Sequence, residues 1–81
     1  MSGRAARITM LGRPGCHLCD EARTVLEPLA TELGAELVEV DIERDDELLR
    51  EHLERIPVIL VDGREICHFF VDSTAVRAAL S

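Results

Sequence analysis

Two cysteines separated by two residues, Cys16-His17-Leu18-Cys19, stand where one sequence pattern gives way to another. Before them runs Arg-Ile-Thr-Met-Leu, residues 7 to 11, an apolar segment of strand length. After them Leu18, Ala22, Val25, Leu26, Leu29, Ala30 and Leu33 recur at helical spacings of three and four. The segment between, Gly12-Arg13-Pro14-Gly15, suits neither a continuing strand nor a helix. The pair therefore opens a helix. Thiols one helical turn apart can close a small disulfide ring. The first of them faces the unpaired N–H groups and positive dipole end of the helix N-terminus, which favour its thiolate. A thiolate with a built-in partner is the minimum equipment for thiol–disulfide exchange.

The remaining elements follow from periodicity and punctuation. Gly34 is the expected stop of the first helix, and Pro28 inside it removes one hydrogen bond and predicts a kink. Residues 36 to 42 read as a strand whose charges, Glu39 and Asp41, suit a sheet edge beside Val38, Val40 and Ile42. Asp45 or Asp46 caps a second helix with Leu49, Leu53 and Ile56 facing inward and Pro57 ending it. The rest of the charge-rich run from Glu43 to Glu54 is a solvated face. Val58 to Val61 is a continuous apolar run, the mark of a strand buried on both faces. Asp62-Gly63 then signals a hairpin, residues 66 to 71 the returning strand, and Asp72 or Ser73 the cap of a last helix carrying Val76, Ala79 and Leu80. In a regular strand Phe69 and Phe70 point to opposite faces, one into the core and one out as an apolar lip.

An 81-residue chain is expected to form one domain over residues 1–81, too small to hold a flavin or nicotinamide lobe of its own. The nine basic residues against sixteen acidic ones give a net charge of −7, which argues against nucleic acid or an anionic membrane as partner. Met1 to Arg7 reads as a short polar tail with no apolar segment behind it, and no run approaches the ~20 residues of a membrane span. The expected compartment is the cytoplasm, where lasting structural disulfides are rare. Three cysteines, two of them closely paired, then point to redox or metal chemistry rather than a staple.

At this point the chain resembles a glutaredoxin, a minimal member of the thioredoxin superfamily. Three features carry the likeness: Cys16-x-x-Cys19 between the first strand and first helix, Ile56-Pro57 immediately before the apolar third strand, and the Asp62-Gly63 hairpin followed by a short terminal helix. The resemblance implies an α/β thioredoxin-like fold, β-α-β-α-β-β-α, with a four-stranded mixed sheet of order 2-1-3-4 flanked by helices. It implies Cys16 as nucleophile and Cys19 as resolving thiol, with Pro57 cis against the Cys16 sulfur and the Ile56 backbone open to a substrate. Arg13 stands where glutaredoxins often carry lysine. His17 and Leu18 replace the usual Pro-Tyr, and Cys67-His68 stands where the family's glycine pair lets glutathione approach. The tryptophan and buried acid of thioredoxins are Gly15 and Met10 here. Among family members the chain looks closest to short glutaredoxin-like proteins.

The expected function is thus a thiol–disulfide oxidoreductase of redox homeostasis, with substrate contacts from Arg13, His17, Leu18, Ile56 and Pro57. No cofactor or metal is expected. The partner is a disulfide-containing protein or a small thiol, the electron donor an external thiol or a flavin reductase, and the protein a monomer. Glutathione is expected to be a poor partner. Cys67 reads as a small buried hydrophobe, and Arg55 as a surface arginine within reach of an anionic substrate. Two alternatives remain: a thioredoxin-fold interaction domain without redox activity, and a zinc module drawing on Cys16, Cys19 and His17 or the Cys67-His68 pair. Zinc wants four convergent ligands, and the expected topology carries the fourth strand away from the cysteine loop.

Overall fold

The structure, a computed structural model, describes residues 6–81; most of the expected polar tail, up to residue 5, lies outside them. Strand β1 (Arg7–Gly12) leads through an exposed loop into helix α1 (His17–Leu33), followed by β2 (Glu36–Asp41) and a 3₁₀ turn (Ile42–Arg44). Helix α2 (Asp46–His52), the hairpin β3 (Val58–Val61) and β4 (Arg64–His68), and helix α3 (Ser73–Leu80) complete the chain. The sheet order is β2-β1-β3-β4, with β1 and β2 parallel and the other pairings antiparallel. This is the thioredoxin-like arrangement expected from the resemblance.

Local chemistry explains the boundaries. Gly34 ends α1 at φ 68°, a left-handed conformation glycine adopts without a steric penalty. Asp45 rather than Asp46 caps α2, its carboxylate accepting the N–H groups of Glu47 and Leu48. Asp62 and Gly63 both have positive φ (49° and 86°), as a tight two-residue hairpin demands. The Asp72 carboxylate accepts the Ala75 N–H and starts α3. Helix α1 runs unbroken through Pro28, which is exposed.

The core is aliphatic. Ile8 and Met10 of β1, Ile59 and Val61 of β3, Leu26, Leu29 and Ala30 of α1, and Val76 of α3 are all buried. The register pairs Ile8 with Val61 and Met10 with Ile59, so these four share one sheet face. Val58 and Ile59 are fully buried, in keeping with an interior strand, while no β2 residue is buried, in keeping with its edge position.

Four expectations are corrected. Helix α2 turns Leu48, Leu49 and the buried His52 inward, and Ile56 beyond it is buried as expected, while Leu53 is exposed. The helix also ends at His52, well before Pro57, and His52 Nδ1 has no hydrogen-bond partner among the described residues. Val25 is exposed on α1. Strand β4 covers residues 64–68, not 66–71, and both phenylalanines are exposed, so neither enters the core.

Candidate active site around Cys16 and Cys19

Cys16 is the N-cap of α1: its backbone is extended, and its sulfur accepts the Cys19 N–H at 3.2 Å. The Asp20 N–H bonds the Cys16 carbonyl at 3.1 Å and closes the first turn. This geometry aims helix N–H groups at one sulfur, which stabilises negative charge there. Cys16 and Cys19 are disulfide-bonded, with Cα atoms 5.2 Å apart. The two are unequal. Cys16 is partly exposed, whereas Cys19 is 1% exposed and belongs to the core.

Space for the buried sulfur comes from Gly12. A Cβ built on this residue would lie 2.8 Å from Cys19 Sγ and 3.4 Å from Cys19 Cβ. Any side chain there would displace a core residue that has little room to yield. The sequence signalled Gly12 only as part of a turn; its close approach depends on where α1 docks.

A cavity of about 220 Å³ opens behind Cys19, with Met10, Gly12, Arg13, Arg23, Glu39 and Asp41 in its wall. Glu39 and Asp41 project from β2 opposite Met10 and Gly12, and partners in register share a face. Arg23 of α1 grips Glu39 with two hydrogen bonds (2.6 and 2.9 Å) and reaches Asp20 at 2.9 Å. The bond to Glu39, followed by that to Asp20, raises the guanidinium pKa further. Asp41 instead accepts the Glu43 N–H through Oδ1 at 2.9 Å, and its Oδ2 lies 3.9 Å from Arg44. This polar chamber had no sequence signal beyond the alternation of β2.

On the other side, Leu18, Glu21, Ala22 and Val25 of α1 face Phe69, Phe70 and Val71 across a groove of about 180 Å³. Ile56 and Pro57 are buried, their peptide bond is cis, and the Pro57 carbonyl accepts the Phe69 N–H at 2.9 Å. His17 is exposed and lies 2.9 Å from Glu21. Arg13, also exposed, faces Glu43 at 3.6 Å. Arg55 is hydrogen-bonded to Glu65. Of the residues singled out in the sequence, Arg13 therefore lies on the polar side and Leu18 on the apolar side. Ile56 and Pro57 are buried just before β3, with the Pro57 carbonyl tied to Phe69. Cys67 is half-buried, accepts the Asp72 N–H at 3.5 Å, and has its thiol pKa raised by burial. Among the described residues no three His, Cys, Asp or Glu side chains converge as a metal site, and no helix is long and apolar enough to cross a membrane.

Residues 7–81 match the model of the glutaredoxin-like domain family DUF836. The chain belongs to this glutaredoxin-like family. An uncharacterised protein of Mycobacterium tuberculosis is 31% identical over 80 residues, covering 93% of this chain and 82% of its own length. Among solved structures, a Nitrosomonas europaea protein superposes with a TM-score of 0.86 at 32% identity, over 100% of this chain and 98% of that one. A Fasciola hepatica thioredoxin reaches 0.64 at 21% identity over 94% and 78% of the two chains, a likeness of fold. The DUF836 protein described here thus sets a Cys-x-x-Cys pair at disulfide distance on a thioredoxin-like scaffold, an arrangement consistent with redox function.

Proposed function

We propose that this protein is a thiol–disulfide oxidoreductase with Cys16 as nucleophile and Cys19 as resolving thiol. The observation that carries this is the inequality of the pair: a partly exposed sulfur at a helix N-cap, bonded to a buried one. In the reduced protein the Cys16 thiolate attacks one sulfur of a substrate disulfide. A Cys16–substrate bond forms, and the first substrate thiolate leaves. Cys19 then loses its proton and attacks Cys16 Sγ. The second substrate thiolate departs, and the Cys16–Cys19 bond closes. The substrate gains two electrons and the protein loses two; an external thiol or a flavin reductase returns them.

Burial opposes deprotonation of Cys19, so its proton needs an acceptor. Asp41 suits that role. Gly12 backs directly onto the Cys19 sulfur, and Asp41 is the register partner of Gly12 on β2, one strand spacing (about 4.8 Å) from it and in the wall of the same cavity. We assign the relay between sulfur and carboxylate to water entering this chamber. Glu39 is a poorer acceptor, because Arg23 occupies both its oxygens.

Glutathione is a poor substrate in this reading. It is anionic, while Arg13, Arg23 and Arg55, the arginines on the segments that carry the site, are each already matched with a carboxylate. Equilibrium titration of the Cys16–Cys19 couple against glutathione, another low-molecular-weight thiol and thioredoxin reductase tests the function. A pair that neither oxidises nor reduces reversibly with any of them excludes it and leaves the interaction-domain alternative.

A further inference from the structure

The chain has only two aromatic side chains, and both stand in solvent beside the cysteine pair: Phe70 is 67% exposed and Phe69 40%. A small protein with so few large apolar groups gains most by burying them. The backbone instead holds them out. Phe69 has φ 67°, and the Phe70 N–H bonds the His68 carbonyl at 2.8 Å across it. A bond from residue i+2 to residue i around a positive φ is the rare, strained form of the γ-turn, and a bulky aromatic is among its least suited centres. Two contacts hold the turn in place: the Phe69 N–H to the Pro57 carbonyl at 2.9 Å, and the Phe69 ring tilted against His68 with centroids 4.8 Å apart. Strain maintained by surrounding contacts at a reactive site points to a use for the shape it creates.

That shape is one wall of the apolar groove. Its other wall begins at Leu18, between the two cysteines, and continues to Val25, itself 42% exposed. The charged residue in the groove is Glu21; the one partner of its carboxylate among the described residues is the exposed imidazole of His17 at 2.9 Å, and no arginine lines the groove there. Resting on the redox function proposed above, we propose that the groove selects the substrate. The disulfide reduced by Cys16 belongs to a polypeptide with a large apolar side chain next to its cysteine and a basic residue beside that. The apolar side chain enters between Leu18, Val25 and Phe70, and the basic group meets Glu21, against a protein of net charge −7. Glutathione has no large apolar side chain for the groove, and its single ammonium stands beside a carboxylate in a molecule that is anionic overall.

The test uses reduced protein in single turnovers with four disulfides: hydroxyethyl disulfide, glutathione disulfide, and two fluorogenic peptide disulfides, one flanked by Leu and Arg and the other by Ser and Glu. The Leu/Arg peptide is expected to react at least tenfold faster than the Ser/Glu peptide. Phe70→Ser, a change at an exposed site, is expected to remove most of that preference, read as the ratio of the two peptide rates within one variant. Equal rates on the two peptides, or an undiminished preference in Phe70→Ser, overturn the inference while the redox function stands. Binding of a cysteine-to-serine version of the Leu/Arg peptide, followed by NMR at Val25, Phe69 and Phe70, tests the groove without chemistry. Shifts at these residues with no reduction of any disulfide keep the groove as a docking surface and overturn the redox function. No shifts overturn the groove.

Discussion

Behind Cys19 the wall carries the charges of Arg13, Arg23, Glu39 and Asp41 beside the apolar Met10 and Val40; beside Leu18 it is made of Val25, Phe69, Phe70 and Val71 with the single charge of Glu21, and the lining is mainly apolar. The same helix supplies both sides, because residues three and four apart on α1 share a face while adjacent ones do not: Leu18, Ala22 and Val25 look toward the β4–α3 turn, and Arg23, next to Ala22, reaches back to β2. The buried sulfur opens onto the polar side, where a proton can leave. The apolar side begins at Leu18, between the two cysteines in the chain, and is the side we assign to the substrate. A dithiol site needs both, and it needs them apart, since water admitted to the groove weakens apolar contact and apolar walls around Cys19 would keep its proton in place.

The largest effects are expected at the sulfurs themselves. Cys19→Ser should trap a mixed disulfide on Cys16, visible by intact mass spectrometry after exposure to a peptide disulfide, and Cys16→Ser should form no adduct at all. An adduct on Cys19 or Cys67 instead would reverse the assigned roles.

Gly12→Ala should come next. Its Cβ meets Cys19 Sγ at 2.8 Å, and overpacking of this kind costs about 1–3 kcal/mol. Urea unfolding of the oxidised protein reads the loss directly. Full stability in the variant would mean that Cys19 packs further from β1 than described.

Asp41→Asn sharpens the comparison from the polar side. The amide keeps an oxygen for the Glu43 N–H, so the fold should hold, but proton acceptance is lost. Decay of the mixed disulfide should slow by roughly tenfold near neutral pH, less than the ~10²–10⁴ of a directly placed general base because the proposed relay runs through water. The deficit should shrink as pH rises and solvent base takes over. Glu39→Gln should change this step less, and an equal deficit in both variants would move the effect from one acceptor to the chamber as a whole.

The smallest effect concerns Cys67, outside both chambers. Burial, the largest cause, raises its thiol pKa, so in the oxidised protein its alkylation should need higher pH than an ordinary cysteine. The folded state favours the protonated thiol. Its contribution to stability is therefore present below the unfolded-chain thiol pKa and fades as pH rises through the folded value. Rapid alkylation near neutral pH would show Cys67 to be an exposed thiolate.

Much of the scaffold was legible because its causes are local. Apolar spacing located α1. The extended apolar run of Val58 to Val61 marked an interior strand, the charges of Glu39 and Asp41 marked an edge, and Asp62-Gly63 and Gly34 supplied the positive φ angles that a hairpin and a helix end require. Cys16 at a helix start was likewise written in neighbouring residues. Leu53 was misplaced because it follows Leu49 at the same helical spacing at which His52 follows Leu48, and only docking chooses between them.

What the sequence alone determined about this protein was its order of strands and helices, its fold class and the Cys16-x-x-Cys19 pair at a helix start. Tertiary structure decided which sulfur is buried, that Gly12 must remain bare against it, and that Asp41 shares a chamber with it. It also decided that Phe69 and Phe70 leave the sheet after His68, where alternation would have sent one of them into the core. The reason is range. Periodicity and caps act within a few residues, whereas each of these outcomes is fixed by a partner distant in sequence: Gly12 by Cys19 across the docked helix, Asp41 by the β1–β2 register, and Phe69 by the carbonyl of Pro57.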